Sequence, residues 1–137
     1  MTYWLGVVCR DHVRRGRSLG IAQLGHGKRT GLARLAAGDQ LVYYSPRTSL
    51  LDGDPLQAFT AIGEVADDEI WQADEGTFKP WRRRVDYLAD TVDVGIRGLD
   101  GELALTAGPN WGHRLRRGLL ELTPADFGLI RSAMLKT

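Results

Sequence analysis

Gln57-Ala58-Phe59-Thr60-Ala61-Ile62-Gly63-Glu64-Val65 alternates along its length. Phe59, Ala61, Gly63 and Val65 fall on one side, and Thr60 and Glu64 on the other. That is the period of a strand with one buried face. Runs of the same kind flank it. Residues 3–8 are apolar, aromatic and β-branched and read as a buried first strand. Residues 19–24 make a short strand. Leu41-Val42-Tyr43-Tyr44 makes another, ended by Ser45-Pro46. Ile70-Trp71-Gln72 continues the sheet. Residues 81–88 place Arg83, Val85 and Tyr87 on one side. Residues 92–96 alternate less cleanly. Residues 115–122 read as a last strand whose apolar parity changes near Gly118, as at a bulge.

Helical signals are fewer. Residues 10–16 read as a polar turn or short helix. Leu32, Leu35 and Ala36 share a helical face, with Gly38 as its stop. Thr123 is a helix N-cap, Pro124 sits at N1 and Asp126 lies in the first turn. Phe127, Leu129, Ile130 and Met134 then supply a core-facing stripe. Six or seven short strands with two or three helices predict an α+β fold, a small mixed β barrel whose closure removes exposed edges. Strands and helices do not alternate as βαβ units, so a Rossmann sheet is not expected.

The 137 residues suit one domain, 1–137, with one core. The single cysteine, Cys9, forms no intramolecular disulfide, which fits a reducing cytoplasm. No secretory signal and no run of membrane-spanning length is present, so the expected location is cytoplasmic, with no membrane partner. The net charge of +1 conceals an asymmetry. Residues 1–50 carry eight basic and two acidic side chains, residues 51–110 five and thirteen, and residues 111–137 five and two. If the basic ends meet in space, they make a positive face.

Catalytic signals are weak. Cys9, His12, His26 and His113 are the only soft or basic candidates, and Cys9 and His12 lack the second pair of a zinc pattern. Gly25-His26-Gly27-Lys28 fails the Walker pattern, since Ala22 and Arg29 stand where glycine and Ser or Thr are required. Its backbone N–H groups with Lys28 and Arg29 suit a phosphate instead. No metal, cofactor or catalytic set is expected. The clearest signal is arginine interleaved with aromatics: Tyr43-Tyr44-Ser45-Pro46-Arg47, Phe78-Lys79-Pro80-Trp81-Arg82-Arg83-Arg84 and Asn110-Trp111-Gly112-His113-Arg114-Leu115-Arg116-Arg117. Stacked bases need a rigid π-face, and phosphates need a cation close by. Trp4, Trp71 and Tyr87 read as core; Trp81 and Trp111 read equally as core or as site.

An ordered set of segments resembles the EVE domain. It runs Tyr3-Trp4, Val8-Cys9-Arg10-Asp11-His12-Val13, Gly20-Ile21-Ala22-Gln23, His26-Gly27-Lys28, Gly38-Asp39, Tyr43-Tyr44-Ser45-Pro46, Phe59 to Val65, Pro80-Trp81-Arg82-Arg83, Trp111-Gly112 and Thr123-Pro124-Ala125-Asp126-Phe127, covering essentially the whole chain. The resemblance implies a PUA-like mixed β pseudobarrel of about six strands flanked by two or three helices, related to YTH domains. It implies a reader of nucleic acid, DNA or RNA, that takes a flipped, modified base, notably a modified cytosine; the chain is expected to work as a monomer or weak dimer. YTH relatives carry a cage tryptophan on the strand corresponding to Ile21-Ala22-Gln23. Ala22 stands there in this chain, so a smaller and more polar pocket is expected. Its expected wall is Cys9, Arg10, Ala22, Gln23, Ser45, Trp81 and Trp111, with Lys28, Arg29, Arg82 and Arg116 on flanking phosphates. Two alternatives use the same pocket: a small-molecule or nucleotide sensor, and a nucleobase-directed enzyme with Cys9 or a histidine as its reactive group.

Overall fold

The computed structural model describes residues 1–135. Seven strands form one mixed sheet: β1 (Tyr3–Val7), β2 (Ile21–Ala22), β3 (Gln40–Arg47), β4 (Pro55–Gln72), β5 (Trp81–Tyr87), β6 (Val94–Gly95) and β7 (Leu119–Leu122). Four helices accompany them: α1 (Arg10–Leu19), α2 (Arg29–Ala33), α3 (Gly112–Leu115) and α4 (Pro124–Met134). The strand order is β2-β5-β4-β3-β1-β7, with β6 on β4. Only β1 and β3 run parallel; every other pair is antiparallel. Among the described residues β2 and β7 are not paired, so the sheet is open. The fold is mixed α+β; its seven strands fall within the expected six or seven, and its four helices are one more than the expected two or three.

The central strand departs from simple alternation for a visible reason. Tyr43 pairs with Ala61 but Tyr44 pairs with Phe59, so Thr60 is the extra residue of a bulge. The bulge reverses parity. Phe59 and Ile62 face one core cluster with Leu5, Val42 and Ile130, whereas Ala61 and Val65 face a second with Trp4, Leu32 and Val85. The expected single buried face is therefore two, and the sheet is sandwiched between two apolar layers. The Thr60 hydroxyl lies 2.8 Å from that of Ser45, which donates to the Val8 carbonyl at 2.7 Å.

A second irregularity lies farther along β4. Val65 pairs with Val85 and Ile70 with Arg83, five steps along β4 against two along β5. The slack, residues 66–69, loops outward. Arg83 fills the space behind it, 2% exposed, donating to the carbonyls of Asp67, Leu32 and Leu35 and to the Asp68 carboxylate at 2.7–3.2 Å. One guanidinium thus ties β5 to the β4 bulge and to α2.

Two buried carboxylates fasten the remaining connections. Asp39 accepts from the Trp4 indole at 2.9 Å and from the backbone of Thr2 and Ala36 at 3.0 Å. Burial alone raises its pKa, but these donors outweigh it and hold the carboxyl below its ordinary value. Asp126 accepts from Ala104 and Leu105 N–H at 2.9 and 2.8 Å, while Thr123 caps α4 as expected.

Other boundaries differ from the sequence reading. Residues 10–16 are the body of a full helix, α1, which ends at Leu19 on Gly20, whose φ of +70° makes the left-handed cap. Leu19 is therefore helical, and the second strand shrinks to Ile21–Ala22. Residues 115–118 are not strand: α3 ends there, and Gly118 (φ +77°) reverses the chain into β7. That turn, not a bulge, is what changes parity. Residues 92–96 give two strand residues followed by a 3-10 turn from Ile96. Leu35 is buried beyond the end of α2, Ala36 is exposed, and Leu129 is 38% exposed on the outer side of α4.

Candidate nucleic-acid cleft

A cleft of about 790 Å³ opens where the ends of β1 and β3 meet α1. That volume is in the range of small-ligand sites, ~300–1,000 Å³. Its floor is apolar: Val7, Val8, Cys9, Val13, Ile21 and Tyr43. Backbone bonds from Val8 to the Tyr44 carbonyl and from Asp11 to the Thr48 carbonyl pin the start of α1 to β3. The Val7 N–H donates to the Gly118 carbonyl, which brings the end of α3 to the same mouth.

The rim is cationic. Arg15 and Arg47 from the first part of the chain, Arg82 from β5, and Arg116 and Arg117 from the turn before β7 all line it, with His12 and His26. No Asp or Glu lines it among the described residues. The two basic ends do meet. Glu75 stands just behind and binds Arg15 and, at 3.0 Å, Arg82. Arg47 donates to the Gly53 carbonyl. Arg116 and Arg117 have no carboxylate within 4.0 Å among the described residues.

Two aromatics belong to the cleft. Tyr43 lies in the floor, 2% exposed, its ring stacked 6.4 Å from that of Tyr87, which donates to the Ile21 carbonyl. Burial pushes both phenols above their ordinary pKa, so they stay neutral and cancel none of the rim charge. Phe78 stands at the rim, 45% exposed, on the tip of the β4–β5 hairpin. It leans on Gly27, where an added Cβ would sit 3.0 Å from the ring and 2.9 Å from Pro80. Gly25, His26 and Gly27 are consecutively left-handed, with φ of 55°, 60° and 88°. The two glycines bear this conformation freely, whereas His26 is held in it at the cleft edge.

Of the residues singled out from sequence, Cys9, Gln23, Arg82 and Arg116 line this one cleft. Gln23 accepts from Arg82 Nε at 2.6 Å. The others lie outside its lining. Ala22 is buried in the second core cluster, and Ser45 is fully buried against Val8 and Thr60. Trp81 packs against the second cluster with the Arg29 guanidinium 5.8 Å above its ring, and Trp111 packs against the first. Arg10 opens α1 and faces Asp93 at 3.9 Å. Lys28 and Arg29 are exposed at the start of α2. Sequence reasoning passed over Tyr43 and Phe78 as cleft aromatics, although both stood in the interleaved segments, and it passed over Arg15, Arg47 and Arg117. His12 and His26 share the cleft with Cys9; His113 lies outside it. Among the described residues no three His, Cys, Asp or Glu side chains group as a metal site, and no helix is long and apolar enough to cross a membrane.

Comparison with known proteins assigns the architecture. The sequence profile of the EVE domain matches residues 2–133. A UPF0310 protein of Renibacterium salmoninarum is 52% identical over 135 residues, 98% of this chain and 96% of its own. The UPF0310 protein YdcG of Bacillus subtilis is 39% identical over 134 residues, covering 96% and 91%. Solved structures share the fold at low identity. A crystal structure of an Agrobacterium tumefaciens protein superposes with a TM-score of 0.59 at 12% identity, over 100% of this chain and 97% of that one. A hypothetical protein from Leishmania major gives 0.59 at 13%, over 96% and 93%. With a family match across nearly its whole length and relatives far above 30% identity, the chain belongs to the EVE-domain family.

Proposed function

We propose that the domain reads nucleic acid by taking one unstacked, modified base, a modified cytosine or similar, into the cleft, without chemical turnover. The observation that carries this is the pairing of an apolar floor with a rim of five arginines and no lining carboxylate. Such a site rewards a flat apolar body tethered to negative charge, which describes a base on its phosphodiester. Phe78 offers a ring for stacking. Gln23, its carboxamide oxygen held by Arg82, presents its NH2 to an acceptor on the base edge. Arg116 and Arg117 take the flanking phosphates. Extruding a base costs a few kcal/mol, which stacking and edge contacts offset. On this reading the open sheet is a PUA-like pseudobarrel that carries the cleft. The domain acts in the cytoplasm as a monomer or weak dimer.

Fluorescence anisotropy with equal-length single-stranded oligonucleotides tests this, each carrying one central cytosine or modified cytosine, in DNA and RNA. The expected outcome is at least a tenfold preference for one modified base that persists as salt rises. Gln23→Ala should erase that preference while leaving the salt slope nearly unchanged. Weak binding that disappears with salt and ignores base identity would sink the reading.

A further inference from the structure

A second cavity of about 720 Å³ runs beside β7. Arg34, Arg114 and Arg117 line it, with Leu105 and the residues of β7. Among the described residues β7 ends the sheet and pairs only with β1, so its outer edge leaves backbone N–H and C=O groups unpaired beside this groove. Arg117 lines both cavities. The groove therefore adjoins the base cleft at this residue.

We propose that this groove holds the sugar–phosphate backbone of the strand leaving the base cleft, with Arg117 shared and Arg114 and Arg34 carrying the next phosphates. The proposal rests on the base-reading function and extends it from one nucleotide to a track. Among the described residues no aromatic side chain lines the groove, so they offer bases nothing to stack on. What it offers is cations and strand-edge N–H groups, the donors a phosphate accepts from. Arg34 is already held over the Trp4 ring, 5.0 Å from its centroid. Arg114 has no carboxylate within 4.0 Å among the described residues. Of the two lining carboxylates, Asp126 is occupied by the N–H groups of Ala104 and Leu105. Glu121 is exposed and opposes a phosphate, so Glu121→Gln strengthens oligonucleotide binding. A second copy of this chain is the wrong occupant: pairing β7 to β7 brings like-charged arginine clusters together.

The test compares 5-methyl-2′-deoxycytidine 5′-monophosphate and its unmodified counterpart with hexanucleotides carrying the same base near either end. The full chain is titrated at 50 and 200 mM salt. One hexanucleotide polarity should bind at least tenfold tighter than the mononucleotide. Arg114→Ala should remove most of that gain and lower the salt slope by ~0.7, while mononucleotide affinity stays the same. Arg114→Lys should keep the slope. Equal affinity for mononucleotide and hexanucleotide, or a length gain indifferent to Arg114→Ala, overturns the proposal. So does hexaglutamate binding that depends on Arg114 when the hexanucleotide gains nothing, which makes the groove a peptide site. If neither ligand binds at all, the groove and the base cleft fall together. A hexanucleotide gain that depends on Arg114 without any base preference removes the base-reading function and leaves the track standing.

Discussion

Two runs of arginine look alike in sequence and do opposite things in the fold. Arg82-Arg83-Arg84 lies on β5, and Arg114-Leu115-Arg116-Arg117 lies at the turn before β7. On β5 every guanidinium is answered. Arg83 is enclosed by three carbonyls and Asp68; Arg84 meets Asp67 at 3.1 Å and Glu69 at 3.4 Å and covers the Trp71 ring; Arg82 is held by Gln23 and Glu75. At the turn, Arg114, Arg116 and Arg117 are exposed, with no carboxylate in reach among the described residues. What separates structural arginine from arginine available to a ligand is whether folding delivers oxygen acceptors to it. The acidic middle of the chain supplies the carboxylates among those acceptors to β5 and not to the turn.

The largest expected effect comes from removing the most completely answered arginine. Arg83→Met keeps volume but leaves the buried carbonyls of Leu32 and Leu35, and the part-buried carbonyl of Asp67, without their donor. The expected loss is about 3–5 kcal/mol, since each unsatisfied buried polar group costs ~1–3 kcal/mol. A urea denaturation midpoint measures it. Arg84→Met, one residue along, should leave the midpoint near that of the parent chain, because its partners are exposed and rehydrate. Equal losses at the two positions would mean that the acceptors around Arg83 do not set it apart.

The complementary change is charge reversal at the turn. Arg116→Glu with Arg117→Glu should leave the denaturation midpoint in place, as exposed substitutions usually fall within ~0.5 kcal/mol. Oligonucleotide affinity should fall more than tenfold, with the salt slope reduced by roughly 1.4 if each arginine contacts one phosphate. Unaltered binding would show that these arginines only cover solvated surface.

That division is why the site was only partly legible in sequence. The strands β1, β3, β4 and β5 and the capped α4 follow from local pattern, because alternation and capping are carried by neighbouring residues. The bulge at Thr60 is not legible, because one extra residue reverses parity only against a partner strand that a single sequence does not display. Trp111 sits among Gly, Pro and Asn, a loop by composition, yet packs on the core through contacts distant in sequence. The interleaving of arginine with aromatics marked the right segments but not the right residues in them. It pointed to Trp81 and Trp111, whereas the fold turns Tyr43 and Phe78 into the cleft. Likewise Ser45 and Ala22 stand next to cleft-lining positions in the chain, Pro46 and Ile21, while their own side chains are buried.

The finest probe of the comparison is a residue that links its two halves. Glu75 sits 22% exposed between Arg15 and Arg82, two rim arginines that it holds by ion pairs. It makes them intermediate: they line the cleft, but part of their charge is already answered. Glu75→Gln keeps the shape of the hairpin and a hydrogen-bonding oxygen while removing the negative charge. Oligonucleotide affinity should then rise about two- to threefold at low salt, and the gain should shrink as salt is added, since it is long-range and screened. Stability should change little, because a partly exposed pair contributes ~0–1 kcal/mol. A fall in affinity instead would mean that Glu75 works by aiming Arg82 and Gln23 at the ligand, so that on this side of the cleft geometry outweighs charge.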